Sequence, residues 1–280
     1  MRLRSLIFVP GDRPDRFVKA SQSGADAIIL DLEDSVAPAA KNKARESVSA
    51  YLARPAAIRR FVRINPVDGD SLEADMACCA AADGIVLPKA QGAATVASLL
   101  KHLTSGMQIL PIATETPQAI FELGGYGAVA DWLCGLTWGA EDLPAAIGAM
   151  GSRHADGSYT SPYEMVRSLT LFGAHAAGVA AIETVYPAIR DEQGLAAYAA
   201  RGAFDGFTGM MALHPAQVPI INAAFTPTRV QIEQARRIVT AFAEAPHAGV
   251  LMLDGKMIDA PHLAQARKIL LRADDPESGR

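Results

Sequence analysis

Eight short runs of apolar, largely β-branched residues recur along roughly the first 225 positions: Ser5–Pro10, Ala27–Asp31, Arg60–Ile64, Gly84–Pro88, Gln108–Ala113, Trp132–Thr137, Ala181–Val185 and Phe207–Ala212. Most are continuously apolar rather than alternating. That pattern predicts strands covered on both faces, as in a parallel sheet wrapped by helices. Helical punctuation fills the intervals. Pro14 opens a segment that stops before Gly24; Leu72, Met76 and Cys79 share one helical face, as do Val96, Leu100 and Leu103. Thr116-Pro117 reads as an N-cap with proline in the first turn, with Gly124 closing that helix. Ser161-Pro-Tyr-Glu164 reads as a capping box ahead of the longest amphipathic stretch, which ends near Gly178.

Eight strand–helix alternations predict an α/β fold, a closed (β/α)8 TIM barrel over residues 1–225. An open doubly wound sheet is the alternative, but no Gly-x-Gly-x-x-Gly follows a strand. Residues 226–280 fall outside the eightfold pattern and predict a C-terminal helix–hairpin–helix extension that serves as lid or oligomerisation element. It has an amphipathic helix over 228–245, a hairpin Gly249–Ile258 turning at Asp254-Gly255, a helix Pro261–Arg272, and a polar tail Ala273–Arg280 expected to fray.

Composition narrows the functional classes. Half of the 280 residues are apolar and the formal net charge is −4, which gives no basic excess for a nucleic-acid partner. No apolar run approaches the roughly 20 residues of a membrane span, and the N-terminal run is too short for a signal peptide. Three cysteines, two of them adjacent (Cys78, Cys79, Cys134), suit reduced core thiols in a cytoplasmic protein rather than a disulfide framework. The six histidines show no zinc-ligand spacing.

In a barrel of this kind the active site forms at the carboxyl ends of the strands. The residues closing the predicted strands are Pro10-Gly11; Asp31 with Glu33 and Asp34; Arg63 with Asn65; Lys89; Glu115; Glu141 with Asp142; Tyr186; and His214. The preference of helix N-termini for acids accounts for Asp34 and partly for Asp142. It does not account for Arg63 and Lys89, cations facing the positive ends of helix dipoles. Glu115 and Asp142 follow the fifth and sixth strands, which adjoin in the barrel. Two carboxylates with waters and substrate oxygens suit magnesium; left unpaired, they would share a proton as an acid/base dyad. Arg63 stands in an otherwise apolar strand, so it needs an anionic partner, and its planar fork suits a substrate carboxylate or enolate oxygen. Arg13, Arg16 and Lys19 suit ligand phosphates or, equally, a solvated helix face.

Several segments together resemble the citrate lyase β-subunit (HpcH/HpaI aldolase) family. They are Arg4-Ser-Leu-Ile-Phe-Val-Pro-Gly11, Gly24-Ala-Asp-Ala-Ile-Ile-Leu-Asp-Leu-Glu-Asp34, Val62-Arg-Ile-Asn65, Leu87-Pro-Lys89, Ile112-Ala-Thr-Glu-Thr-Pro117, Trp138-Gly-Ala-Glu-Asp-Leu143, His214-Pro-Ala-Gln-Val218 and Asp254-Gly-Lys-Met-Ile-Asp-Ala-Pro261. The resemblance runs in order along nearly the whole chain. It implies a TIM-type barrel, usually trimeric, with Mg2+ on Glu115 and Asp142 and an Arg63 that contacts the substrate's oxo-acid part; Glu115 and, from their place at the first barrel turn, Arg13 and Arg16 are the further candidate substrate contacts. It also implies an Asp259 that reaches a neighbouring subunit's site as acid/base. The implied activity is an oxo-acid lyase that cleaves a 3-hydroxyacyl coenzyme A thioester of the citryl, malyl, citramalyl or methylmalyl kind by a retro-Claisen reaction. A malyl-CoA-type thioesterase and a non-catalytic subunit with a degenerate site are the alternatives. Where relatives often carry Gly-Lys before the His-Pro segment, Met210 stands at the lysine position.

Overall fold

The computed structural model describes residues 2–103 and 106–273. Eight parallel strands, β1 (Ser5–Pro10), β2 (Ala27–Asp31), β3 (Arg59–Arg63), β4 (Gly84–Leu87), β5 (Gln108–Pro111), β6 (Gly135–Thr137), β7 (Ala180–Glu183) and β8 (Gly209–Ala212), run in the spatial order β5-β4-β3-β2-β1-β8-β7-β6. The two end strands meet through parallel bridges, Ile109 to Leu133 and Ile112 to Thr137, which nearly close the sheet into the predicted TIM-type barrel. This seam is thinner than the ladders elsewhere; β1 and β2 pair over five consecutive positions.

Helices α1 (Pro14–Ser21), α2 (Lys41–Leu52), α3 (Leu72–Cys78), α4 (Ala93–Leu100), α5 (Pro117–Phe121), α6 (Leu143–Ile147), α7 (Ser161–Ala176), α8 (Glu192–Asp205) and α9 (Gln217–Ala224) complete the alternation. Every residue of β2, β4, β6 and β8 is buried, which explains why the apolar runs do not alternate. Strand residues point alternately to two dry faces. Ala27, Ile29, Phe61, Val86, Leu110, Ile182 and Met211 belong to one core cluster inside the barrel. Ile28, Leu30, Val62 and Ile85 alternate with them and are equally inaccessible. Each such aliphatic side chain contributes about 1.5–3 kcal/mol by leaving water.

Local details depart from the sequence-based expectations in three places. Thr116 caps α5 as expected, its Oγ1 accepting from Ala119 N at 3.2 Å. Gly124, however, does not adopt the left-handed conformation that ends a helix. The glycine-rich segment Leu123–Trp132 instead tightens into 3-10 turns, so Trp132 belongs to these turns and β6 starts at Gly135. The capping box at Ser161 is also absent. Ser161 is already helical, the N-cap is Thr160, and the Glu164 carboxylate accepts from Arg201 on α8 at 2.9 Å.

A second compact unit begins at Ala224. It holds α10 (Arg229–Glu244), the antiparallel pair β9 (Val250–Leu253) and β10 (Lys256–Asp259), and α11 (Ala260–Arg272). Thr228 and Gln231 form a reciprocal capping box that starts α10. Asp254 and Gly255, with φ of 51° and 74°, make the tight turn between the strands. Ala235, Ala266 and Leu270 form the unit's own small core. The expected fraying of the tail concerns residues 274–280, outside the described residues. Among the described residues no helix is long and apolar enough to cross a membrane.

Candidate functional site

Asp31 and Arg63 are the last residues of β2 and β3 and face each other across the ladder. They share parity with the inward-pointing Ile29 and Phe61, so both side chains enter the barrel mouth. Arg63 Nε and Nη2 donate to Asp31 Oδ1 and Oδ2 at 2.7 and 2.6 Å. Its Nη1 lies 2.9 Å from Glu33 Oε2. That approach is off the line of a hydrogen bond, so this buried oxygen attracts charge without accepting a proton. The guanidinium also stacks 5.0 Å from the Phe8 ring centroid. The strand arginine therefore finds its anion within the protein, and its fork is held rather than free. Burial would raise the Asp31 carboxyl, but Arg63 outweighs it and holds the group below the ordinary carboxylate range.

Lys89, just past β4, is one of two described non-glycine residues with positive φ, at 49°. That costs backbone energy, and here the conformation turns both ends of the residue to use. Its backbone N–H donates to Glu115 Oε2 at 2.5 Å, while Nζ stands 3.1 Å from both Glu33 Oε1 and Asp142 Oδ1. One residue thus touches three acids that arrive after β2, β5 and β6. Glu115 is 4% exposed. Its carboxyl is pushed up to about 8, first by burial and then by the charges of Glu33 and Asp142, against the opposing pull of Lys89.

Glycine at position 139 leaves Glu115 its room. A Cβ there would stand 3.1 Å from Glu115 Cγ and 3.3 Å from Ile112 Cγ2. Thr114 pins the same loop: Gly139 N donates to its Oγ1 at 3.1 Å, and the hydroxyl donates to Gly139 O at 3.2 Å. The turns after β5 and β6 are tied together immediately beside the two acids.

Asp31, Arg63, Glu115, Gly139 and Asp142 line a cavity of about 380 Å3 whose wall also includes Phe8, Ile112, Val185 and Met211. Among the described residues no three His, Cys, Asp or Glu side chains converge as a complete protein cage for a metal. Two carboxylates in an excess of negative charge suit a hard cation that completes its shell with water and ligand oxygens. Arg16 lines the cavity. Arg13 does not; it is exposed and paired with Asp15 at 3.1 Å. Asp259 lies in the second unit as N-cap of α11, its Oδ1 2.5 Å from His262 Nδ1. Gln217, in the His-Pro segment, is structural: its Oε1 accepts from Leu213 N at 2.8 Å and its Nε2 donates to Tyr186 O at 2.9 Å.

Sequence reasoning noticed Glu33 and Lys89 as polar strand ends but gave them no role. Their signal was position alone, because the reversal of backbone handedness at Lys89 has no counterpart in residue type.

An oxygen-donor pair at the carboxyl end of a (β/α)8 barrel defines a class of metal-assisted enzymes acting on small oxyanionic ligands. Residues 4–215 match the HpcH/HpaI aldolase/citrate lyase family model, and the chain belongs to this family. It is 35% identical over 274 residues to a citrate lyase subunit beta-like protein of Mycobacterium tuberculosis, covering 97% of this chain and 96% of that protein. It is equally identical, over 280 residues, to a (3S)-malyl-CoA thioesterase of Cereibacter sphaeroides, covering 97% and 94%. The crystal structure of CitE from M. tuberculosis with magnesium, acetoacetate and coenzyme A superimposes with a TM-score of 0.83 at 34% identity, covering 97% of this chain and 98% of that one.

Proposed function

We propose that the protein is a Mg2+-dependent lyase that cleaves a 3-hydroxyacyl coenzyme A thioester into an acyl-CoA and an oxo acid. The observation that carries this reading is the acidic rim. Glu115 and Asp142 line one cavity and both contact Lys89, one at its backbone N–H and the other at Nζ, with more acids than cations around them. Support also comes from the CitE structure with magnesium, acetoacetate and coenzyme A.

Glu115 and Asp142 are the residues that would hold the ion. A divalent ion there supplies Lewis-acid polarisation of the oxo-acid oxygens. The protein's own groups do the rest. Arg63, fixed by Asp31 and stacked on Phe8, is the guanidinium in the mouth that would stabilise charge developing on the enolate oxygen. Arg16 offers its charge to the substrate's anionic groups at the cavity edge. Arg13 suits the thioester's phosphates only after leaving Asp15. The hydroxyl proton goes to a base and the C3–C2 bond breaks. Its electron pair becomes the thioester enolate, and the oxo acid forms at the former carbinol carbon. Asp259, paired with His262, delivers the proton to the enolate carbon. In this reading Asp259 comes from a neighbouring copy in a homotrimer, and the enzyme works in the cytoplasm with its three thiols reduced.

A second reading keeps the site and adds water to the thioester. It is favoured by equal identity to the (3S)-malyl-CoA thioesterase. One experiment separates them. Citryl-, malyl-, citramalyl- and methylmalyl-CoA are incubated with and without Mg2+ and the products identified. An acyl-CoA plus oxo acid, lost on chelation, is the expected result. Free coenzyme A plus hydroxy acid establishes the thioesterase, and unaltered turnover after metal stripping removes both.

A further inference from the structure

Glu183, the last residue of β7, points away from the barrel axis, since its neighbour Ile182 belongs to the inner core. It is completely buried. A carboxylate in that position demands hydrogen bonds, and four donors supply them. Trp138 Nε1 donates to Oε1 at 2.6 Å, Tyr198 OH to Oε1 at 2.9 Å and Thr184 N to Oε1 at 3.0 Å. Arg167 Nε donates to Oε2 at 2.7 Å. Arg167 is in turn held by Asp205 at 2.7 Å and stacked on Phe207 at 4.8 Å. The cluster ties β7, α7 and α8 into one rigid block.

The shortest of the four bonds leaves this block for a different element. Trp138 begins the segment Trp138-Gly-Ala-Glu-Asp142. Its indole is clamped on a second side by the Tyr159 ring, at 5.0 Å. The next residue is Gly139, whose missing Cβ makes room for Glu115 and whose N–H and C=O both engage Thr114. Three residues further on stands Asp142, the N-cap residue of α6. Glu183 therefore holds the start of the loop at Trp138 and Thr114 holds it at Gly139, beside Glu115 and three residues before Asp142.

We propose that Glu183 is a positioning residue: through the Trp138 indole it sets the register of the 138–142 segment, and with it the placement of Asp142 and the space for Glu115. The inference rests on the metal-site reading above, yet its mechanical part concerns this chain alone. A residue that only stabilised the fold would act on every element it touches. A positioning residue acts on metal affinity through one bond. Glu183 Oε1 keeps Tyr198 and Thr184 as donors when the indole N–H is removed, so the block stays satisfied while the 138–142 segment loses its tie to it.

The test uses full-length protein with Trp138→Phe, which removes the N–H and keeps the ring, and Glu183→Gln, which keeps the shape. Tyr198→Phe serves as control, because it removes a donor to the same oxygen without touching the loop. Amide hydrogen exchange at Gly139 is measured in metal-free protein, and Mn2+ affinity by paramagnetic resonance. Trp138→Phe and Glu183→Gln are expected to speed Gly139 exchange about tenfold and weaken Mn2+ binding about tenfold, with Tyr198→Phe within twofold of wild type on both. Lower Tm with unchanged exchange and unchanged Mn2+ affinity overturns the proposal, as does an equal effect of Tyr198→Phe. Should Glu183→Gln not fold, Trp138→Phe decides alone. A wild-type chain that binds no Mn2+ refutes the proposed function, while the exchange arm still decides whether Glu183 anchors the loop.

Discussion

At the barrel mouth, Asp31, Glu33, Asp34, Glu115 and Asp142 gather around two cations, Arg63 and Lys89. Behind β7, the acids Glu164, Glu183 and Asp205 share Arg167 and Arg201, with Trp138 and Tyr198 adding neutral donors. Both clusters bury charge, and the rear one comes closer to matching it, with two arginines to three acids against two cations to five at the mouth. Glu183 has a donor on each oxygen although Arg167 Nη2 finds no acceptor, whereas at the mouth Glu33 Oε2 accepts no hydrogen bond; burial raises the carboxyls of both Glu183 and Glu115. The rear cluster comes nearer to satisfying itself from within the protein. The mouth is built to be finished by something positive, and its backbone carries part of the cost at Lys89.

Substitutions sharpen this contrast. Glu115→Ala should abolish metal binding and lower turnover at least a thousandfold, about 4 kcal/mol in the barrier, while Tm holds or rises because a buried acid that repels Glu33 and Asp142 is gone. Metal titration calorimetry with thermal melting checks this, and a large fall in Tm would make the two clusters alike. Arg167→Met should do the reverse. Leaving Glu183 without its cation costs about 3–5 kcal/mol of stability, read by denaturant unfolding. A variant as stable as wild type would mean that the rear cluster is not what braces the wall. Gly139→Ala falls between them. Its new methyl group crowds Glu115 and Ile112, for about 1–3 kcal/mol of strain and weaker metal binding. Normal metal affinity in this variant would show that Glu115 has room to spare.

The strands were legible because burial on both faces writes an uninterrupted apolar run, and no solvent side obscures it. The rim was legible as well: charges at the ends of such runs have few structural reasons to be there, and Asp31, Glu33, Arg63, Lys89, Glu115 and Asp142 all stand at one. Relations between distant residues were not. Nothing in residue type tells that Arg63 is already committed to Asp31, because that depends on ladder register. Glu183 passed unnoticed for a related reason. A strand end near Val185 hides which face the glutamate takes, and its partners come from three other elements. The 3-10 turns of Leu123–Trp132 defeated a rule that treats glycine as a stop, since Gly124 never takes the conformation the rule requires.

The barrel resembles a cask with one loose joint. Seven pairs of staves are held by regular ladders, whereas β5 and β6 are joined by isolated bridges and, past their ends, by the Thr114–Gly139 hydrogen bonds. Glu115 and Asp142 hang on opposite sides of that joint. An ion gripped by both would act as a rivet across it, so the mechanical stiffness of the wall would follow the supply of divalent cation, by about 2.7 kcal/mol at a hundred times the dissociation constant. Starved of the ion, the cask would open first along the line where its chemistry is done.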